Sequence, residues 1–488
     1  MKKIIAILAI TTLAFGLIGC REKTVQKRST GFENTELTVY NVFDNEDIFT
    51  PMLQAFKSEN GANIKINYRK FNDLTEYRNT ILNELAEGEG PDIFFMHNSW
   101  FYQDHKKLTP APETITRNDF LESYVEVTAN DLIIPDSEGI DRIYSFPLYV
   151  DTLGLYYNRR YYNDKIPERG RPPATWAEIQ EDVFKLKKED KSFERFKTAG
   201  IAMGRADNLL RGTDLLLTLM LQHGLKFYDD NFERSDIAGT QGINTFGKPN
   251  TPGLDALELY TSFALPNHRN YTWNTFLSDA DSSEKEIDTF ARGKVAMIFG
   301  YSYLYEEVVR HINVLAKKNP NTIEVADVAV APIPQVFDPE EGIGNMATLA
   351  SYFSPVVSRT TEYPATAWSL ISFVTNQENS RYYHEKTHRP TARRDLIEEQ
   401  SQDPIYGVFV KQVGIARTLP MANAEKYAEI LKTAIDQVIA TIPTKVAIQN
   451  AEESINELIP KGGLFPEKVG ETVRERLERE GSAKAETQ

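Results

Sequence analysis

"ELTVYNVFDNEDIFTPMLQAFKSENGANIKINYRKFNDLTEYRNTILNELAEGEGPDIFFMHN" occupies residues 36–98 and decides the architecture. Residues 36–43 alternate apolar and polar side chains, the pattern of a half-buried strand. Residues 48–59 change to helical apolar spacing, with Pro51 acceptable in a first turn. Residues 62–71 read again as a strand, and 74–87 as a helix closed by Gly88. Gly90-Pro91-Asp92 then punctuates the start of Ile93-Phe94-Phe95-Met96, which has the composition of a fully buried strand. Strand, helix, strand, helix, strand in so short a stretch predicts a parallel α/β sheet. Ligands of such sheets bind beyond the carboxyl ends of the strands. Those ends are Asp44-Asn45 and His97-Asn98-Ser99-Trp100.

Further along, Thr175-Trp176-Ala177-Glu178 has the form of a helix entry, with Thr175 as N-cap and Glu178 in capping-box position. Residues 175–314 read as mainly helical, 325–334 as β, and 363–376 and 424–442 as amphipathic helices. There is no internal repeat, and the charged end 471–488 is expected to fray. One stretch breaks its own pattern. In Ser145-Phe-Pro-Leu-Tyr-Val-Asp-Thr-Leu-Gly-Leu155, Asp151 lies in line with Leu153 and Leu155 on the face that should be apolar. It is either a buried carboxylate satisfied by backbone amides or a point where the strand opens into a cleft and the carboxylate meets a ligand.

The chain begins MKKIIAILAITTLAFGLIGC. The apolar run 4–18 is too short to span a bilayer and reads as a secretory leader over 1–19. Leu17-Ile18-Gly19-Cys20 resembles a bacterial lipobox, which implies acylation of Cys20, with 20–36 as a polar tether to the outer face of the cell membrane or in the periplasm. Cys20 is the only cysteine, so the exported part has no intramolecular disulfide and depends on packing alone. The formal net charge is −15, and it becomes more negative once Lys2 and Lys3 leave with the leader. That balance argues against nucleic acid as a partner.

The sharpest enzymatic motif is His384-Glu385-Lys386-Thr387-His388, an HExxH match that on a helix would offer two imidazoles to zinc with the glutamate as base. Pro390 follows almost at once, so the helix must end near the second histidine, and no metzincin continuation is present. A solvated helix end is the plainer reading, with an exported zinc peptidase as the rival. Asp279-Ala-Asp-Ser-Ser283 fails as a calcium loop because Glu284 replaces the glycine and Phe290 the bidentate glutamate. No nucleophile elbow or phosphate-binding glycine loop occurs in a usable context, and no cofactor is expected. Aromatic residues beside short polar ones, including Trp100, Tyr149, Trp273, Tyr301, Tyr303 and Tyr427, fit the recipe for a carbohydrate cleft: ring faces over sugar C–H groups, carboxylates and amides on hydroxyls.

Several segments in order resemble the carbohydrate-type extracellular solute-binding proteins of ABC importers, those similar to maltose-binding protein. Gly90-Pro91-Asp92-Ile93 resembles the family's "GPD" strand, Phe146-Pro147 through Tyr156-Tyr157-Asn158 its "YP...YN" crossover, and Pro173-Ala174-Thr175-Trp176 its "P-x-TW" helix entry. Phe290-Ala-Arg-Gly293-Lys294-Val-Ala296-Met297 is similar to "F-x-x-GKAAM", and Ala331-Pro332-Ile333-Pro334 and Arg389-Pro390-Thr391 fall where the family has its later prolines.

The resemblance implies a two-lobed, periplasmic-binding-protein-like α/β fold of type II, with discontinuous lobes and hinge closure around ligand. Lobe 1 would comprise 37–149 plus 353–405, and lobe 2 150–352 plus 406–470, with crossings near 149–152, 346–352 and 406–412. It implies ligand contacts at Asp44, Asn45, Asn98, Ser99, Trp100, Asp151, Tyr301 and Tyr303, and more loosely at Trp273 and Tyr427. Tyr303 stands where the family commonly has a tryptophan. The implied function is capture of a sugar or oligosaccharide by a monomer and delivery to the transmembrane subunits of an ABC permease. A peptide or polyamine binder, or a sensor subunit, on the same fold is the alternative.

Overall fold

The computed structural model describes residues 35–464 apart from 61–62, 137, 190–195, 244–246, 278–284, 320–321 and 339–344. The leader, Cys20, most of the tether, the run from Asp279 to Ser283 and the charged end 471–488 lie outside the described residues. The opening stretch folds as strand β1 (Glu36–Val42), helix α1 (Glu46–Asn60), strand β2 (Lys65–Phe71), helix α2 (Leu74–Glu87) and strand β3 (Ile93–His97). β1 pairs in parallel with both β2 and β3. Phe49, Met52, Leu53 and Phe56 bury one face of α1 in the core below the sheet. α2 begins where the Asp73 carboxylate accepts the Glu76 N–H. It ends at Gly88, whose left-handed backbone (φ 80°) is one that glycine adopts without a Cβ penalty. A strand from far down the chain, Phe353–Val357, adds antiparallel to the other edge of β3 and sets Phe353 opposite His97.

A second sheet has Gly154–Asn158 at its centre, flanked antiparallel by Met297–Gly300 and Val328–Pro332. The helix Trp176–Leu186 starts as its sequence predicts, with Thr175 Oγ1 accepting the Glu178 N–H at 3.2 Å. The return bond falls one residue upstream of a capping box. The Glu178 carboxylate accepts the Ala174 N–H at 2.7 Å, drawn there by its bidentate pairing with Arg171.

Buried side chains gather into two main cores, one drawn from residues 37–150 and 350–416, the other from 153–349 and 421–464. A smaller cluster around Tyr156, Trp273 and Phe290 completes the second lobe. The chain changes core between Val150 and Leu153 and between Leu349 and Ala350; after Ala392 it passes to the second lobe's smaller cluster at Tyr406 and Phe409, returns to the first core at Val413 and Ala416, and reaches the second core at Met421. Three short strands bridge these points: Thr348–Ser351 lies between Asp151–Thr152 and Ala416–Arg417 in one sheet. The segment 406–412, expected as a crossing, is mostly the helix Gly407–Gln412; Tyr406 and Phe409 belong to the second lobe's smaller cluster, and the connecting strand follows at Ala416–Arg417. Among the described residues no helix is long and apolar enough to cross a membrane.

A candidate ligand cleft between the lobes

Beyond the carboxyl end of β3 the chain turns tightly through Asn98–Trp100, and His97 holds the turn. The Ser99 N–H donates to His97 Nδ1 at 3.3 Å, and Ser99 Oγ lies 2.7 Å from the same nitrogen. With Nδ1 accepting, the neutral ring carries its proton on Nε2, which donates to Ser351 Oγ at 3.0 Å. Burial, reinforced by Arg211 and Arg78, pulls this imidazole down to about 3, so it stays neutral at any physiological pH. Ser351 Oγ thereby accepts a hydrogen bond from the imidazole, and its own O–H remains a donor.

That cleft has a volume of about 240 Å³ and lies between the lobes. His97, Ser99 and Trp100 form its first-lobe wall, and Leu349, Ala350 and Ser351 of the connecting sheet its floor. Opposite stand Arg211 and Asp214 at the start of the helix Gly212–Gln222, Tyr301 after the strand Met297–Gly300, and Glu425 and Tyr427 on the helix Ala424–Ile439.

Trp100 is buried at the edge of the cleft, with the Arg78 guanidinium over its indole at 4.6 Å. Its N–H donates across the lobes to Glu425 Oε1 at 3.0 Å, and the same carboxylate contacts Arg78. On the second lobe Tyr301 donates its hydroxyl to Asp214 Oδ2 at 3.1 Å. Arg211 lies 3.7 Å from that carboxylate, donates through Nε to the Tyr303 hydroxyl at 3.0 Å, and sits over both tyrosine rings. Burial lifts the Asp214 carboxyl above its ordinary range, and Arg211 opposes the rise. Each charge on the wall thus faces an opposite one: Arg211 with Asp214, Glu425 with Arg78. What remains to recognise a solute is aromatic surface and short hydroxyl groups, a neutral polar lining rather than an ion trap.

Of the residues expected at a ligand, Asn98, Ser99, Trp100, Tyr301 and Tyr427 line this cleft. The Asn98 side chain is already occupied, with Nδ2 donating to Asp131 Oδ2 at 3.4 Å and Oδ1 accepting the Tyr352 N–H at 3.3 Å. Tyr427 borders the cleft as a core residue of the second lobe: it is 0% exposed, stacks on Phe227, and its hydroxyl is 3.1 Å from that of Tyr228.

The others sit elsewhere, for identifiable reasons. Asp44 is buried and accepts from the Tyr383 hydroxyl at 2.8 Å and from Arg389 at 2.9 Å, an internal ion pair of the first lobe. Asn45 is exposed and accepts from Lys70 Nζ. Asp151 is buried at the connecting sheet and receives the Ser302 N–H at 3.0 Å, the Ser302 hydroxyl at 2.7 Å and the Thr152 N–H at 2.9 Å. Burial raises it to about 6 against those bonds. The break in strand pattern is therefore answered by protein donors, which fix the turn before Tyr303, and not by an opening to ligand. Trp273 is 0% exposed and donates its N–H to Asn208, a core residue of the second lobe. Tyr303 is outside the lining but 39% exposed at its margin, held by Arg211.

The HExxH run does not assemble a zinc site. Its helix Gln377–Thr387 ends at His388, which turns left-handed (φ 56°) and stacks on Tyr406 at 4.5 Å. His384 points Nδ1 at the Arg389 carbonyl, 2.8 Å away. Among the described residues no group of His, Cys, Asp and Glu could hold a metal ion.

Arg211, Asp214, Ser351, Thr418 and Glu425 reach the cleft without having been singled out from sequence, and His97 was marked only as part of a strand end. Arg211-Gly-Thr-Asp214 precedes an apolar helical run, so its polar residues could have been placed at a helix start. Glu425 is one acid among seventy, and nothing local marks it.

Residues 51–406 match the family model described as bacterial extracellular solute-binding protein. The maltodextrin-binding protein MdxE of Bacillus subtilis is 23% identical over 467 residues, covering 93% of this chain and 96% of MdxE. Among solved structures, the sugar-binding protein MalE from Xanthomonas citri superposes with a TM-score of 0.68 at 17% identity, over 87% of this chain and 97% of that one. An ABC transporter solute-binding protein from Thermotoga lettingae, bound with alpha-D-tagatose, gives 0.62 at 19% identity, over 87% and 99%. The fold is that of these two-lobed binding proteins, and the chain belongs to the bacterial extracellular solute-binding protein family.

Proposed function

We propose that this protein captures a neutral sugar or oligosaccharide between its lobes and delivers it to the permease of an ABC importer, binding without turnover. The observation that carries the reading is the cleft wall itself. Trp100 and Tyr301 give it aromatic side chains, Ser99, Ser351 and Thr418 give it hydroxyls, and its charges are paired in opposite sign. A polyamine would need acids without cations beside them, and Asp214 and Glu425 each have one. The likeness to a maltodextrin-binding protein over nearly the whole chain supports the same class.

In this reading residues 37–149 with 353–405 form one lobe and 150–352 with 406–470 the other. Ligand favours the closed arrangement because it touches both walls at once. Micromolar capture needs about −8 kcal/mol. Cleavage after Gly19 and acylation of Cys20 would tether the protein outside the cell membrane, beside its permease. A thermal-shift panel of sugars, short peptides and polyamines tests the assignment. A sugar at a hundred times its dissociation constant should stabilise the fold by roughly 2.7 kcal/mol. A shift with peptides or amines alone would overturn the sugar reading.

A further inference from the structure

His97 stands between two serines that both line the cleft, with Ser99 Oγ 2.7 Å from Nδ1 and Ser351 Oγ 3.0 Å from Nε2. A neutral imidazole has one donor nitrogen and one acceptor nitrogen, so it cannot treat the two hydroxyls alike. Whichever nitrogen carries the proton, one serine donates to the ring and the other accepts from it. The backbone decides between them. The Ser99 N–H is also aimed at Nδ1, 3.3 Å away, which makes Nδ1 the acceptor and places the ring proton on Nε2. Burial keeps the ring neutral, so this assignment holds at any physiological pH.

The ring is held in place by its neighbours: Phe353 meets it edge-on at 5.0 Å, and the Trp100 ring lies 5.8 Å from it. Ser99 belongs to the tight turn after β3, whereas Ser351 pairs with Asp151 in the connecting sheet. One imidazole thus couples the first-lobe wall to the floor of the cleft. Ser99 Oγ, its proton committed to Nδ1, offers the cleft only lone pairs. Ser351 Oγ, which accepts from Nε2, offers its proton. Sugar hydroxyls can answer both, since each donates and accepts. A carboxylate at Ser99 or an ammonium at Ser351 meets a group of its own polarity and leaves it unpaired.

Resting on the sugar reading above, we infer that His97 is a positioning residue that sets selectivity: it fixes Ser99 as an acceptor and Ser351 as a donor, so the solute must bring a donating hydroxyl to the first and an accepting one to the second. The test is a calorimetric scan of maltose analogues in which each hydroxyl in turn is replaced by hydrogen or by fluorine, an acceptor without a proton. In wild type the position facing Ser351 should lose about tenfold with hydrogen but no more than about threefold with fluorine, and the position facing Ser99 about tenfold with either. Ser351→Ala and Ser99→Ala identify the two positions, each abolishing the losses at its own. His97→Phe keeps a ring beside Phe353 and Trp100 but frees both hydroxyls, so fluorine should become tolerated opposite Ser99. Hydrogen and fluorine analogues that lose alike at every position of wild type, or a pattern unchanged in His97→Phe, would overturn the inference and leave the sugar reading in place. So would nitrogen-15 spectra of wild type that put the imidazole proton on Nδ1, a readout that needs no variant. Failure of wild type to bind maltose itself would remove the sugar reading, and this inference with it.

Discussion

Glu425→Ala removes the carboxylate that joins the two walls of the cleft. In the intact protein its Oε1 accepts the Trp100 indole N–H at 3.0 Å and contacts the Arg78 guanidinium, which itself packs on the indole. Trp100 is only 5% exposed, so losing the acceptor strands a buried donor rather than returning it to water. Arg78 keeps Asp104 at 3.3 Å and loses one of its anions. Glu425 is half exposed and its ion pair with Arg78 adds little; the stranded indole dominates, at about 2 kcal/mol. That energy exists only when the lobes are together, so the substitution should shift the closed–open equilibrium by about 30-fold. Calorimetric titration with maltotriose should show affinity reduced by roughly 10- to 30-fold. Small-angle scattering of the ligand-free variant should give a larger radius of gyration than wild type. Glu425→Gln, which keeps an acceptor, should fall between the two. Unchanged affinity and scattering would refute the reasoning, and tighter binding would show instead that the solute has to displace Glu425.

Asp131 accepts the Tyr352 hydroxyl at 2.7 Å, and burial lifts its carboxyl to about 7. Because the folded value lies above the unfolded one, its favourable contribution is full below about pH 4 and lost as pH rises through 7. Asp131→Asn should therefore gain on wild type by roughly 3 kcal/mol between pH 5 and pH 8 in urea unfolding; parallel curves would contradict this. Trp273→Ala should cost about 3–5 kcal/mol of stability as a core truncation. Its folded fraction should retain sugar affinity, whereas loss of affinity without loss of stability would return Trp273 to the binding surface.

The parallel sheet was legible because local signals agree there: alternation in β1, an Asp73 cap and a Gly88 stop around α2, and an apolar run in β3. The strand Phe353–Val357 was not, since its pairing with β3 joins residues some 250 positions apart and no local pattern encodes that. The site divides along the same line. Ser99 and Trp100 follow from the rule that ligands gather beyond strand ends. Arg211, Asp214 and Glu425 reach the cleft only through tertiary packing of the second lobe. Asp151 stood out as a break in its strand pattern, but Ser302, which satisfies it, lies far away in sequence, as Arg389 does from Asp44. Trp273 could not be told from a stacking residue without knowing that it is 0% exposed.

The central claim is that a neutral oligosaccharide closes the two lobes on this cleft. Scattering from the exported chain, with and without saturating maltodextrin, measures closure directly, with Trp100→Ala as the control. The account predicts a radius of gyration that falls on adding the sugar to wild type and does not change in the variant at the same concentration. A wild-type profile unmoved by maltodextrins, at concentrations where a peptide or an amine contracts it, would contradict the account.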